Sequence, residues 1–159
     1  SDGSLKDKSI SKYDSNGNEV EESNYDSDGD LTNNYIGISK TISRYDSNGN
    51  KVEWTLYNSD GSLIWKTISK YNSNGNEVER SWYNSDGSLK DKSISKYDSN
   101  GNQVEQTRYD SDGSLKDKSI SKYDTKNRIV ELIKYNFGLK FGQLQQTLTE
   151  KYIYEYEEY

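Results

Sequence analysis

Apolar and aromatic residues return along this chain in runs of about eight to ten positions, each cut off by a cluster of Asp, Ser, Asn and Gly. Runs of that length, phased with turn residues and lacking helix caps, predict β-strands. The phasing is regular. Tyr45, Tyr71, Tyr97 and Tyr123 recur every 26 residues, and Tyr57, Tyr83, Tyr109 and Tyr135 form a second series with the same spacing. Tyr13 and Tyr25 head the two series 32 residues earlier, which places a six-residue insertion near 32–37, around "LTNNYIGISK". The fold class expected is all-β: tandem hairpin repeats over 1–127 forming a long antiparallel meander of ten or so strands, single-layer or spiralling. The segment 128–159, with denser aliphatics and no second turn motif, reads as a C-terminal capping hairpin whose acidic last strand discourages edge pairing.

The turns have a definite chemistry. A type I turn followed by a left-handed residue needs Gly, or failing that Asn, in the last turn position. Gly17, Gly49, Gly75 and Gly101 supply it in "YDSNGN"-type copies, and Asn127 stands there in the fifth. The other half-repeat uses Gly29, Gly61, Gly87 and Gly113. Asp14, Asp26 and their equivalents can accept turn amides through the side chain.

A three-residue loop with a glycine bulge pairs Asp46 with Asn50 and Asn58 with Ser62. Counting outward sets Tyr57 opposite Leu63 and Val52 opposite Ile68. One face then carries the tyrosines and the other Val52, Ile68 and their equivalents. In this register Trp54 faces Lys66, and Lys66 faces Trp82. The row Trp54–Lys66–Trp82, flanked by Leu56 and Ile64, is the candidate binding site, either for a glycan or protein partner or for self-association.

Composition narrows the functions. With 29% hydrophobic residues the chain cannot fill a thick two-layer core, and a net charge of −6 with interspersed Lys and Glu argues against a nucleic-acid groove. No apolar run is long enough for membrane insertion by a helix. There is no Cys or His to act as nucleophile, base or soft metal ligand, and no cofactor motif, so the expectation is not an enzyme. "NYDSDGDL" places Asn24, Asp26, Asp28 and Gly29 at the first positions of an EF-hand-like loop, but the other copies spoil the pattern, which favours turn chemistry over calcium. The opening "SDGS" matches a turn interior and reads as a cut or processed start.

"YDSNGN" followed by Val resembles the tyrosine-aspartate (YD) repeats of bacterial Rhs-type cell-surface proteins, over about four fifths of the chain. The resemblance implies hairpins of a large spiralling sheet in a secreted or surface-bound protein. Toxin-enclosing shells, adhesins and wall-associated proteins are the roles it implies. That family usually has Arg after the Gly, where this chain has Asn18, Asn50, Asn76 and Asn102. "WYNSDGSL" at 82–89 also resembles choline- or glucan-binding wall repeats. The reading is a non-enzymatic structural β-repeat segment, a spacer or scaffold. The alternatives are a glycan- or protein-binding module with an exposed aromatic patch, and a segment of a toxin-enclosing shell.

Overall fold

The computed structural model describes residues 7–34, 36–140 and 143–157. Every regular element among them is a β-strand. They are β1 (Asp7–Tyr13), β2 (Glu19–Asp26), β3 (Lys40–Tyr45), β4 (Lys51–Tyr57), β5 (Leu63–Tyr71) and β6 (Glu77–Tyr83), followed by β7 (Leu89–Tyr97), β8 (Gln103–Asp110), β9 (Leu115–Tyr123), β10 (Ile129–Lys140) and β11 (Gln143–Ile153). They form one antiparallel sheet in sequence order, with no crossover. Contacts gather in two compact units, Ser1–Lys70 with Ser81–Lys90, and Tyr71–Arg80 with Asp91–Tyr159.

All the predicted hairpin tips form as written. In each, the Gly amide donates to the carbonyl of the first turn residue, as in Gly17 to Asp14 at 3.1 Å, and that residue's own amide donates four residues on, as in Asp14 to Asn18 at 2.9 Å. The left-handed position is what demands Gly: Gly17 has φ 84°, and Asn127 takes φ 60° in the fifth copy. The insertion adds one more turn of the same kind, Asn34 to Gly37. Here the partner strand shrinks to a single bridge between Tyr25 and Leu31.

One part of the expected register fails. Tyr57 does face Leu63, but the next pair is Leu56 with Trp65, so Ile64 is left unpaired. The same slip follows the tyrosine in the other hairpins, leaving Val20, Val52, Val104 and Val130 without a partner. These hairpins therefore hold a second bulge just beyond the tip. A single extra residue reverses the side-chain parity of everything past it. Ile68 accordingly pairs with Glu53, not Val52.

The faces change with it. Tyr57, Thr55 and Glu53 share one face with Lys40, Ile42, Lys66 and Ile68, while Tyr45, Ser43, Trp54, Leu56 and Trp65 lie on the other. The two tyrosine series thus point to opposite sides, not to one. The register also advances two residues per repeat: Lys66, not its neighbour Ile68, stands in line with Thr55 and Ile42. The second unit does the same with Ile94, Thr107 and Lys118.

Burial follows from size rather than from apolarity. Among the described residues Leu56 is the one buried apolar side chain, whereas Ser23, Ser43, Thr55, Ser69, Ser93 and Thr107 are among the buried polar ones. A short hydroxyl side chain between long neighbours on a pleated surface is roofed over by them. The sheet needs no second layer to exclude water from its middle rows.

Candidate interaction surface

Most chemistry-bearing side chains are committed to neighbouring strands. In the turns Asp14 accepts from the amides of Asn16 and Asn18, both at 2.9 Å, and from the Asn18 side chain at 3.0 Å. This bond to Asn18 is the main reason the Asp14 carboxyl sits below its ordinary range. Asp46 and Asp98 repeat the arrangement with Asn50 and Asn102. In the fifth copy Arg128 replaces the Asn, and its guanidinium meets the same Asp124 oxygen at 2.7 Å. In the candidate calcium loop the Asp26 carboxylate is spent likewise, accepting the amides of Asp28 and Asp30.

Along the strands, a Glu recurs between two cations. Glu21 meets Lys12 and Lys40; Glu53 meets Arg44 and Lys66; Glu105 meets Lys96 and Lys118; Glu131 meets Lys122 and Lys151. Hydrogen bonds from Lys118 and then Lys96 hold the Glu105 carboxyl low, and Glu105 in turn pushes the Lys96 ammonium up.

The first tyrosine series completes the set. Tyr45 donates to the Glu19 carbonyl at 3.2 Å, Tyr97 to that of Glu77 at 2.8 Å and Tyr123 to that of Gln103 at 3.1 Å. Each acceptor is the first residue of the preceding strand. Tyr156 makes the same bond to Ile129, the first residue of β10, at 3.0 Å, while Arg128 lies over its ring at 4.4 Å. The end of the chain therefore carries a sixth copy of the motif. It is legible in the sequence: "LTEKYIYEY" at 148–156 aligns on "LKDKSISKY" at 115–123, and Leu148 faces Tyr135 as Leu115 faces Tyr109.

The predicted aromatic row does not assemble as drawn. Trp54 pairs with Thr67, and Lys66 pairs with Thr55 on the opposite face, where its ammonium lies 3.3 Å from Glu53. Lys66 is thereby removed from the tryptophan face by the bulge at Ile64. What gathers instead is Trp54, 36% exposed, the 7% exposed Leu56 beside it and Trp65 across from Leu56, with the Lys90 ammonium 4.7 Å above the Trp65 ring. Trp82 is half-buried. On the opposite face a shallow open groove of about 350 Å³ is lined by Tyr57, Leu63, Lys66, Ile68 and Tyr83. Trp65, which the expected row does not include, belongs to the patch. Its pairing depends on the bulge, which nothing in a two-residue alternation signals.

No protein-family model matches the sequence, and no curated protein matches it significantly. Among solved structures the chain is similar to part of "TcdB2-TccC3-TEV", at 11% identity and a TM-score of 0.39, over 88% of this chain and 9% of that one. A Bacteroides fragilis protein of unknown function is similar at 15% identity and a TM-score of 0.30, over 92% of each chain. The Photorhabdus luminescens Tc holotoxin pore is similar at 12% identity and a TM-score of 0.25, over 88% of this chain and 10% of that one. These likenesses are low, and the architecture described above stands on strand order and register alone.

Proposed function

We propose that this chain is a non-enzymatic structural β-repeat segment, a spacer or scaffold, of a secreted or surface bacterial protein. One observation carries the reading: in copy after copy the same Asp, Glu, Lys and Tyr side chains are used to fasten one strand to the next. Repetition of this kind conserves a surface rather than building a single site. Stability that comes from nearest neighbours lets such a sheet be lengthened unit by unit. The bacterial surface setting rests on the likeness of "YDSNGN" to YD repeats, which equally suits a stretch of a toxin-enclosing shell.

A second reading has its own support. Trp54 and Trp65 stand where other copies carry Glu22 and Gln106, or Asp91 and Asp117, so this aromatic cluster departs from the repeat. A flat aromatic surface of this kind stacks on sugar rings or buries itself against protein. The wild-type chain and the Trp54→Ser/Trp65→Ser variant, compared on a glycan array and by sedimentation velocity, separate the two. The spacer reading expects both proteins to be monomeric and silent on the array. Glycan binding or dimerisation that disappears in the folded variant would replace it with the binding-module reading.

A further inference from the structure

The bulges sort charge by face. In the first unit Lys8, Lys12, Lys40, Arg44, Lys66 and Lys70 share one face of the sheet, and the strands between them contribute two carboxylates there, Glu21 and Glu53. That face is basic although the chain as a whole has a net charge of −6. The tyrosines that clasp strand to strand, Tyr45 among them, point the other way with Asp7, Glu22, Trp54 and Trp65. The cations also reach further into solvent than the carboxylates. The side chains of Lys12 and Arg44 are 64% and 71% exposed and those of Lys40 and Lys66 31% and 30%, against 21% and 20% for Glu21 and Glu53. A lysine ammonium has three donors, so Lys66 can hold Glu53 at 3.3 Å and still meet a second anion. On this same face lies the open groove of about 350 Å³ lined by Tyr57, Lys66 and Tyr83.

These features together select one kind of ligand. Lys40 and Lys66 lie two strands, roughly 10 Å, apart, which suits a chain with recurring anionic groups. A groove with tyrosine rings and an ammonium in its wall suits a sugar ring that carries an acid group. A flat anionic membrane fits poorly, because the face is bordered by acidic tips, Asp28 and Asp60 at one end of the strands and Asp14 and Asp46 at the other. Single-stranded nucleic acid stacks successive bases on aromatic rings, whereas tyrosines come to this face only on every second strand, as Tyr25 and Tyr57 do.

We propose that the basic face of the first unit binds an acidic polysaccharide, laid across the strands as a single chain. One sugar ring sits in the groove between Tyr57 and Tyr83 with its acid group on Lys66, and further acid groups fall to Lys40 and Arg44. A glycan too short to cross several strands meets too few cations to be held, so short array oligosaccharides stay silent. The site is separate from the tryptophan patch on the other face, and a spacer can carry it without losing its role.

The test titrates the folded 159-residue chain by calorimetry at low salt with polygalacturonate, beside poly-L-glutamate of equal charge, poly(dT) and phosphatidylglycerol vesicles. Polygalacturonate should bind most tightly, and its binding should weaken in high salt. Lys40→Gln/Lys66→Gln leaves Lys12 and Arg44 to hold Glu21 and Glu53, so the variant stays folded by circular dichroism. It should lose about fivefold or more in affinity, whereas Lys51→Gln/Lys126→Gln, an equal change of charge away from this face, should stay within about twofold. Trp54→Ser/Trp65→Ser should bind as the wild type does. Silence toward polygalacturonate, equal or tighter binding of any of the other three ligands, or equal losses in the two Lys→Gln pairs would overturn the proposal. So would loss of binding in the tryptophan variant, which would move the site to the opposite face and favour the binding-module reading.

Discussion

The tyrosine clasp invites a comparison in which one atom is removed from each of two similar residues. Tyr97→Phe deletes the hydroxyl that donates to the Glu77 carbonyl at 2.8 Å. Tyr109→Phe deletes a hydroxyl of the other series, which has no hydrogen-bond partner among the described residues. A net intramolecular hydrogen bond contributes about 0.5–1.5 kcal/mol, whereas a substitution that removes no such contact stays within about 0.5 kcal/mol. With a urea slope of about 2 kcal/mol/M, Tyr97→Phe should lower the unfolding midpoint by about 0.3–0.8 M. Tyr123→Phe removes the equivalent bond to Gln103, two strands away and about 10 Å off. At that separation the losses add, so the Tyr97/Tyr123 double variant should lose about 1–3 kcal/mol. Chemical denaturation read by tryptophan fluorescence and circular dichroism measures all four proteins. Equal losses for Tyr97→Phe and Tyr109→Phe, or no loss for the double variant, would refute the claim that the first series clasps strands through its hydroxyls.

Three further expectations follow from the same contacts. Gly61→Ala forces a Cβ onto φ 83° with open space around it, so the cost is conformational only, about 1–2 kcal/mol by urea melts. Glu105→Gln removes one anion from between exposed Lys96 and half-buried Lys118; both pairs still reach solvent, so the loss should stay within about 1 kcal/mol and shrink in high salt. In acid, the carboxylates held low in the fold (Asp14, Asp46, Asp98 and Glu131) favour the folded state above the ordinary carboxylate pKa values and cease to do so as protons bind. The raised lysines, Lys96 and Lys151 among them, contribute below the ordinary lysine pKa and lose that contribution only when pH passes their folded values. Thermal melts should therefore be level from about pH 5 to 9 and fall below about pH 4; a stability maximum inside the plateau would point to other groups.

Much of the architecture could be read from the sequence because turn chemistry is local. An Asx residue, a type I turn and a glycine at positive φ determine one another within five residues, and the hairpin tips follow. Register beyond the tip is different. The bulged residue is Val20, Val52, Val104 or Val130 in one kind of hairpin and Ile64, Lys116 or Thr149 in the other. Nothing in the alternation of residue types marks it as unpaired. The error it introduces is one residue, which is enough to move Lys66 to the face opposite Trp54 and to split the tyrosines between two faces. The end of the chain was obscured for another reason. Tyr152 and Tyr154 replace the serines of the repeat, and "LTEKYIYEY" reads as a new element until its Leu, Lys, Ile and Tyr are aligned on 115–123.

The central claim is that stability lies between neighbouring strands, so that one repeat more or less leaves a folded sheet. Removing residues 92–117 takes out one 26-residue unit and joins Asp91 to Lys118, which stands in the place of Lys92. The shortened protein should keep a β-type far-ultraviolet spectrum, unfold in one cooperative urea transition, and show a slope reduced by about a sixth, in proportion to the surface exposed. A chain that is unfolded in water, or whose slope falls far more than its length, would mean that distant parts of the sheet depend on one another, and the nearest-neighbour account would be wrong.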